Sequence, residues 1–122
     1  MTKSAAQAYG NVAKQISSPR KLEADLLLEA ASRLQAVQND RGDKNAKLDH
    51  ALRYNRKLWT IFLTSVTSAE SQLSAEIRQN VANLGMFVIK QSMELLGNPR
   101  PESIGALINI NRQVAAGLMG RG

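Results

Sequence analysis

Three features of the chain predict an all-α fold: a helical period in its apolar residues, an aliphatic stock of core formers, and prolines confined to the gaps between periodic stretches. Hydrophobic residues fill 43% of the 122 positions but aromatic ones only 4%. A core must then be built from Leu, Ile, Val and Ala, whereas strands would want more β-branched and aromatic side chains. Pro19, Pro99 and Pro101 all fall outside the periodic stretches, where they punctuate helices without breaking them. Read at about 100° per residue, the chain divides into four main helices, roughly 19–38, 44–67, 75–96 and 101–118. A weak N-terminal helix precedes them. A chain of this length is expected to form one small bundle over 1–122.

The N-terminal segment, TKSAAQAYGNVAKQI, places Ala5, Tyr9, Val12 and Ile16 on one face. Gly10 in its middle costs about 1 kcal/mol against alanine, so the segment needs something to dock on, with Tyr9 as its anchor. Ser17-Ser18-Pro19 opens a stronger helix: Ser18 suits the N-cap and Pro19 the first helical position. Its stripe is expected to be Leu22, Leu26, Ala30, Leu34 and Val37, widened by Leu27 and Ala31. The turn residues of NDRGDKN end it.

The stretch LDHALRYNRKLWTIFLTSV is the centre of the next helix. Leu48, Leu52, Trp59, Phe62, Leu63 and Val66 share one side, while Arg53 and Lys57 point away. Asn55 interrupts the apolar side between Leu52 and Trp59. An inward amide must find partners, because leaving them unmade costs about 1–3 kcal/mol. Asn55 therefore either ties this helix to a neighbour or lies in a groove that a partner fills.

TSAESQLS reads as a loop. Ser74 is placed to cap the helix that follows, with Leu73 before it and Glu76 in its first turn. That helix is apolar over two arcs. One holds Ile77, Val81, Leu84, Val88 and Leu95; the other holds Ala82, Met86, Ile89, Met93 and Leu96. Burial of both in the core is the simpler expectation. The alternative is that the methionine arc faces a partner, since Met packs adaptably at binding surfaces. Gly97-Asn98-Pro99 ends the helix, and Pro101 opens the last one, with Ile104, Leu107, Ile108, Ala115 and Leu118 inward. Asn111 interrupts that stripe as Asn55 does its own, and each is followed by an arginine, Arg56 or Arg112. The simplest structural explanation is that each amide bonds a helix terminus or loop carbonyl and so fixes the packing.

Catalytic and cofactor chemistry finds no constellation in this chain. His50 is the only histidine and there is no cysteine, which leaves no zinc ligand set, no thiolate and no disulfide framework. There is no Gly-rich phosphate loop, no nucleophile elbow and no paired carboxylates. The chain is read as non-enzymatic, with no small-molecule substrate, cofactor or metal. No stretch has the roughly 18 apolar residues of a membrane span, and the first ten residues lack a signal-peptide core. A cytoplasmic protein with no membrane role is expected. The net charge of +6 permits an anionic partner. Its loose focus is Arg41, Lys44, Lys47, Arg53, Arg56 and Lys57, diluted by Asp40, Asp43 and Asp49. That cluster suits a solvated helix face, with RNA contact as the competing function.

In order, AYGNVAKQISSPRKLEADLL, ALRYNRKLWTIF, IRQNVANLGMFV and LININRQVAAGLMG resemble the flagellar biosynthesis regulator FlaF family of flagellated alphaproteobacteria. The resemblance runs from about Ala8 to Met119. It is most specific at Asn55 with Leu58-Trp59, Asn83-Leu84 with Phe87-Val88, and Leu107-Ile108 with Ile110-Asn111-Arg112. Ser74 stands where the family often has proline, an exchange of one helix-start residue for another. A fainter similarity to the FliS flagellin chaperones lies in Tyr9, Ser18-Pro19, Leu22 and Leu26.

The resemblance implies a cytoplasmic protein that binds flagellin as a secretion chaperone and couples its synthesis to export. Flagellin carries long amphipathic terminal helices, and a helical bundle can shelter one in a groove. The candidate lining is Tyr9, Asn55, Trp59, Met86, Ile89, Met93 and Asn111. The alternative is post-transcriptional control of flagellin expression, by RNA binding or through the second regulator FlbT.

Overall fold

The computed structural model describes residues 19–39, 44–68 and 73–120. Four helices run through them: α1 (Pro19–Asn39), α2 (Lys44–Thr67), α3 (Ala75–Gly97) and α4 (Pro101–Leu118). Each stands where the apolar period put it, α1 and α3 ending one residue later than expected. The expected N-terminal helix, with Tyr9 and the Ser18 cap, lies outside the described residues.

The helix starts follow from local chemistry. The Ser74 hydroxyl accepts a hydrogen bond from the Ile77 N–H at 3.2 Å, satisfying a donor that no carbonyl can reach, and Glu76 sits in the positive first turn. Pro101 opens α4 after Arg100 in extended backbone. At the other end of α3, the Asn98 N–H closes on the Glu94 carbonyl.

Short connections make neighbouring helices antiparallel and set their order around the bundle. α1 packs closely on α4 and on α2, and α2 packs closely on α3. α3 and α4 are joined by Asn98–Arg100 yet touch only slightly, and the diagonal pairs do not come into backbone contact. α3 is therefore a flanking helix held mainly by α2. The core reflects this arrangement. α1 supplies Leu27 and Leu34, α2 supplies Leu52, Trp59, Phe62 and Val66, and α4 supplies Ile104, Leu107 and Ile108. α3 adds only Val88 and Leu95 as fully buried apolar side chains. Trp59 and Phe62 meet edge to face with ring centroids 5.3 Å apart.

The inward line of α1 differs from the expected one. It differs only at its start: Ala30, Leu34 and Val37 are buried as expected, with Leu27 and Ala31 beside them, but Leu26 is half-buried, Leu22 is 39% exposed, and Ala24 is buried instead. A helix gripped by two neighbours turns inward the arc between them, and here that arc runs through Ala24 and Leu27 and past the Leu22–Leu26 line.

Candidate partner-binding face

The two inward asparagines meet. The Trp59 indole N–H donates to Asn111 Oδ1 at 2.9 Å, and Asn111 Nδ2 donates to Asn55 Oδ1 at 2.7 Å and to the Leu27 carbonyl at 3.3 Å. Asn55 Nδ2 donates to Ser92 Oγ at 3.3 Å, whose hydroxyl donates to the Val88 carbonyl at 2.8 Å. Donor chemistry fixes the direction of this relay. The indole can only donate, so Asn111 must present its oxygen to Trp59 and its amide N–H to Asn55, which must do likewise toward Ser92. One relay thus links all four helices, and Asn55, Trp59, Ser92 and Asn111 are wholly buried.

The expectation that each amide holds a helix end is corrected. Their partners are each other, a serine hydroxyl and the mid-helix Leu27 carbonyl. Nor do Asn55, Trp59 and Asn111 line a groove, because the folded bundle seals them from any partner. Their part is to fix the register in which α3 sits on α2. Gly85 helps: a Cβ there would lie 3.3 Å from Leu63 Cδ1 and 3.4 Å from Trp59 Cε3, so the missing side chain lets α3 approach closely.

That register turns the methionine arc of α3 outward. Met86 is 65% and Met93 52% exposed, and Ile89 is half-buried at the edge of the seam with α2. Burial of this arc in the core, the simpler expectation, does not hold, since α3 has one strong neighbour and needs only one apolar arc to hold it. Two residues missing from the expected lining join the exposed set: Phe87, 50% exposed, and Ile77, 47%. Phe87 could have been found in the sequence as the one aromatic among Asn83, Lys90 and Glu94, where a solvated arc would carry polar groups. At about 100° per residue Met86, Ile89 and Met93 share one outward side, an apolar strip of the kind that marks interaction sites, whereas Phe87 lies across the polar arc of Lys90, Asn83 and Glu94 and Ile77 lies on the Val88 side at the start of the helix. Tyr9 lies outside the described residues.

The seam between α2 and α3 is concave at both ends. One cavity, about 370 Å³, lies where Leu48, Asp49 and Leu52 face Leu95, Leu96 and Pro99. The other, about 270 Å³, lies among Thr67, Ala75, Arg78, Gln79 and Ala82.

The basic cluster is less concentrated than its sequence suggests. Arg53 is paired with Asp49 at 2.8 Å along the same helix. His50 and Lys57 are exposed, and residues 40–43 lie outside the described ones. Tyr54 carries Arg33 over its ring at 4.0 Å, tying α1 to α2. Near the N-terminus of α1, Glu23 pairs with Arg20 at 3.0 Å and accepts from the Ser65 hydroxyl at 3.2 Å. Burial nevertheless pushes its carboxyl above the usual range, with Arg20 and Ser65 opposing. Among the described residues, no three His, Cys, Asp or Glu come together to hold a metal ion, and no helix is long and apolar enough to cross a membrane.

No curated protein and no solved structure matches the chain significantly. The family model for flagellar protein FlaF, however, matches residues 5–118. That span takes in the whole relay and the outward face of α3, and the chain therefore belongs to the FlaF family of flagellar proteins.

Proposed function

We propose that this FlaF-family protein acts in the cytoplasm as a non-enzymatic chaperone of flagellin, covering a flagellin helix before export and coupling flagellin synthesis to secretion. The observation that carries this reading is the outward methionine side of α3, where Met86 is 65% and Met93 52% exposed beside half-buried Ile89. A free amphipathic helix in the cytoplasm risks premature assembly through its apolar side. An exposed side carrying flexible methionines can accept that side and adapt to its sequence. The buried relay supports the same reading from within. It fixes where α3 sits, so the binding face is already built before a partner arrives and less ordering is needed on contact.

Purified full-length protein and purified flagellin monomer test the reading by co-purification. Replacing Met86→Asp together with Met93→Asp, both exposed, is expected to abolish flagellin recovery while helical content and cooperative melting are retained. Full recovery with the double variant removes this face from the account. Wild-type protein that retains flagellin only when FlbT is added makes the contact indirect and refutes direct chaperoning.

A further inference from the structure

Two arginines lie along the seam beside the outward face, and neither role described above uses them. The Arg56 Nε on α2 and the Arg78 Nε on α3 are both buried with no hydrogen-bond acceptor. Helix position places Arg56 on the α3 side of α2, between Leu52, which lines the cavity shared with Leu95, and Leu63, which approaches Gly85. Arg78 lines the cavity at the opposite end, with Thr67 and Ala82. Since Asn55 bonds Ser92, Arg56 lies level with residues near Gln91 of the antiparallel α3. Arg78 is then about 20 Å away along the seam, at about 1.5 Å per residue. Met86 and Ile89 lie between the two levels.

Both side chains are half-buried, each with its Nε–H lacking an acceptor, and carboxylates meet guanidinium donors best because they accept in the fork geometry arginine presents. The net charge of the chain, +6, has the sign that favours such a partner. We infer that the α2–α3 seam selects an amphipathic helix bearing carboxylates along one edge, about four turns apart, with Arg56 and Arg78 as the two reading positions and the Met86–Ile89–Met93 face as the apolar floor. For the face this rests on the docking reading above, and it adds the chemistry by which one helix would be preferred over another.

The test uses the full-length protein and three labelled amphipathic peptides of one apolar face, whose edge positions are glutamate, glutamine or lysine. Binding is followed by fluorescence anisotropy at about 50 and 500 mM salt. The glutamate peptide is expected to bind about tenfold tighter than the glutamine one, and the lysine peptide weakest. That advantage should vanish at high salt and in an Arg56→Gln, Arg78→Gln double variant that melts like wild type. Equal binding of the glutamate and glutamine peptides, or no binding of either, overturns the inference, as does preference for the lysine peptide. So does sedimentation showing a dimer that Met93→Asp dissolves, because the face would then belong to a second copy. Should the glutamate peptide be selected while flagellin is not bound, the chaperone reading fails and the inference stands. Should flagellin bind with no effect of the arginines, the reverse holds.

Discussion

Asn111→Leu isolates what the buried relay contributes. Leucine has as many side-chain heavy atoms as asparagine, branched at the same carbon, so the change removes polar partners without opening space. Two groups lose the bonds described above: the Trp59 indole N–H and the Asn55 side-chain Oδ1. The Leu27 carbonyl keeps its place in the helix ladder of α1. At about 1–3 kcal/mol for each orphaned buried group, the variant should lose ~2–6 kcal/mol. A domain of this kind holds only about 5–15 kcal/mol in all. With an m-value of ~2 kcal/mol/M, the urea midpoint falls by about 1–3 M, read from the fluorescence of Trp59. Adding Asn55→Leu sharpens the test. That second change removes the orphaned Asn55 oxygen, leaving the indole alone without a partner, while Ser92 still donates to Val88. The double variant should therefore be more stable than Asn111→Leu by about 1–3 kcal/mol. Additive losses, or an Asn111→Leu midpoint within error of wild type, would refute the relay as the device that joins the helices.

Glycines on two helices should respond in opposite senses. Gly105→Ala meets only the Gln38 amide, at 4.0 Å, and should stabilise α4 by about 0.5–1 kcal/mol in thermal melts through helix propensity. Gly85→Val drives a branched side chain toward Trp59 and Leu63 and should cost about 1–3 kcal/mol, with quenching or shift of the tryptophan emission. Stabilisation by Gly85→Val would mean that α3 does not sit as closely on α2 as described. For Glu23, a folded-state pKa above the unfolded one means the native protein binds the proton more tightly. Its contribution is most favourable below the unfolded pKa and is lost as pH rises toward the folded value. Glu23→Gln should remove that loss, so denaturation from about pH 4 to 7 should show the variant gaining on wild type as pH rises. A gain that grows as pH falls contradicts burial as the dominant influence on this carboxyl.

The helices were legible because each signal was local. The 3.6-residue period, Pro19 and Pro101 at first positions, and Ser74 before Glu76 all act within a turn or two of the chain. That Asn55 and Asn111 point inward was equally legible, since each breaks an apolar stripe. That they meet was not. The meeting depends on how far each helix slides along its neighbour, which is set by packing such as Gly85 against Trp59 and leaves no periodic trace. Ser92 was invisible for a related reason: a serine on a helix becomes a relay member only when an amide arrives beside it. The two arcs of α3 were read correctly as apolar, but their fates depend on how many neighbours the helix acquires. With α2 close and α4 barely touching, the arc of Val88 and Leu95 turns inward beyond Ile77 at its exposed start, and Met86 and Met93 remain outside. α1 shows the converse, two close neighbours drawing Ala24 and Leu27 inward and leaving Leu22 at the surface.

The central claim is that flagellin lies on the outward side of α3, and site-specific photo-crosslinking tests it most directly. A photoreactive residue is placed at Met86 or Met93, and at exposed Asn109 on α4 as control, in full-length protein mixed with flagellin monomer. Flagellin adducts are expected from Met86 and Met93 and should map to one amphipathic terminal helix, with none from Asn109. Adducts from Asn109 alone, or equal adducts from every position, would contradict that claim.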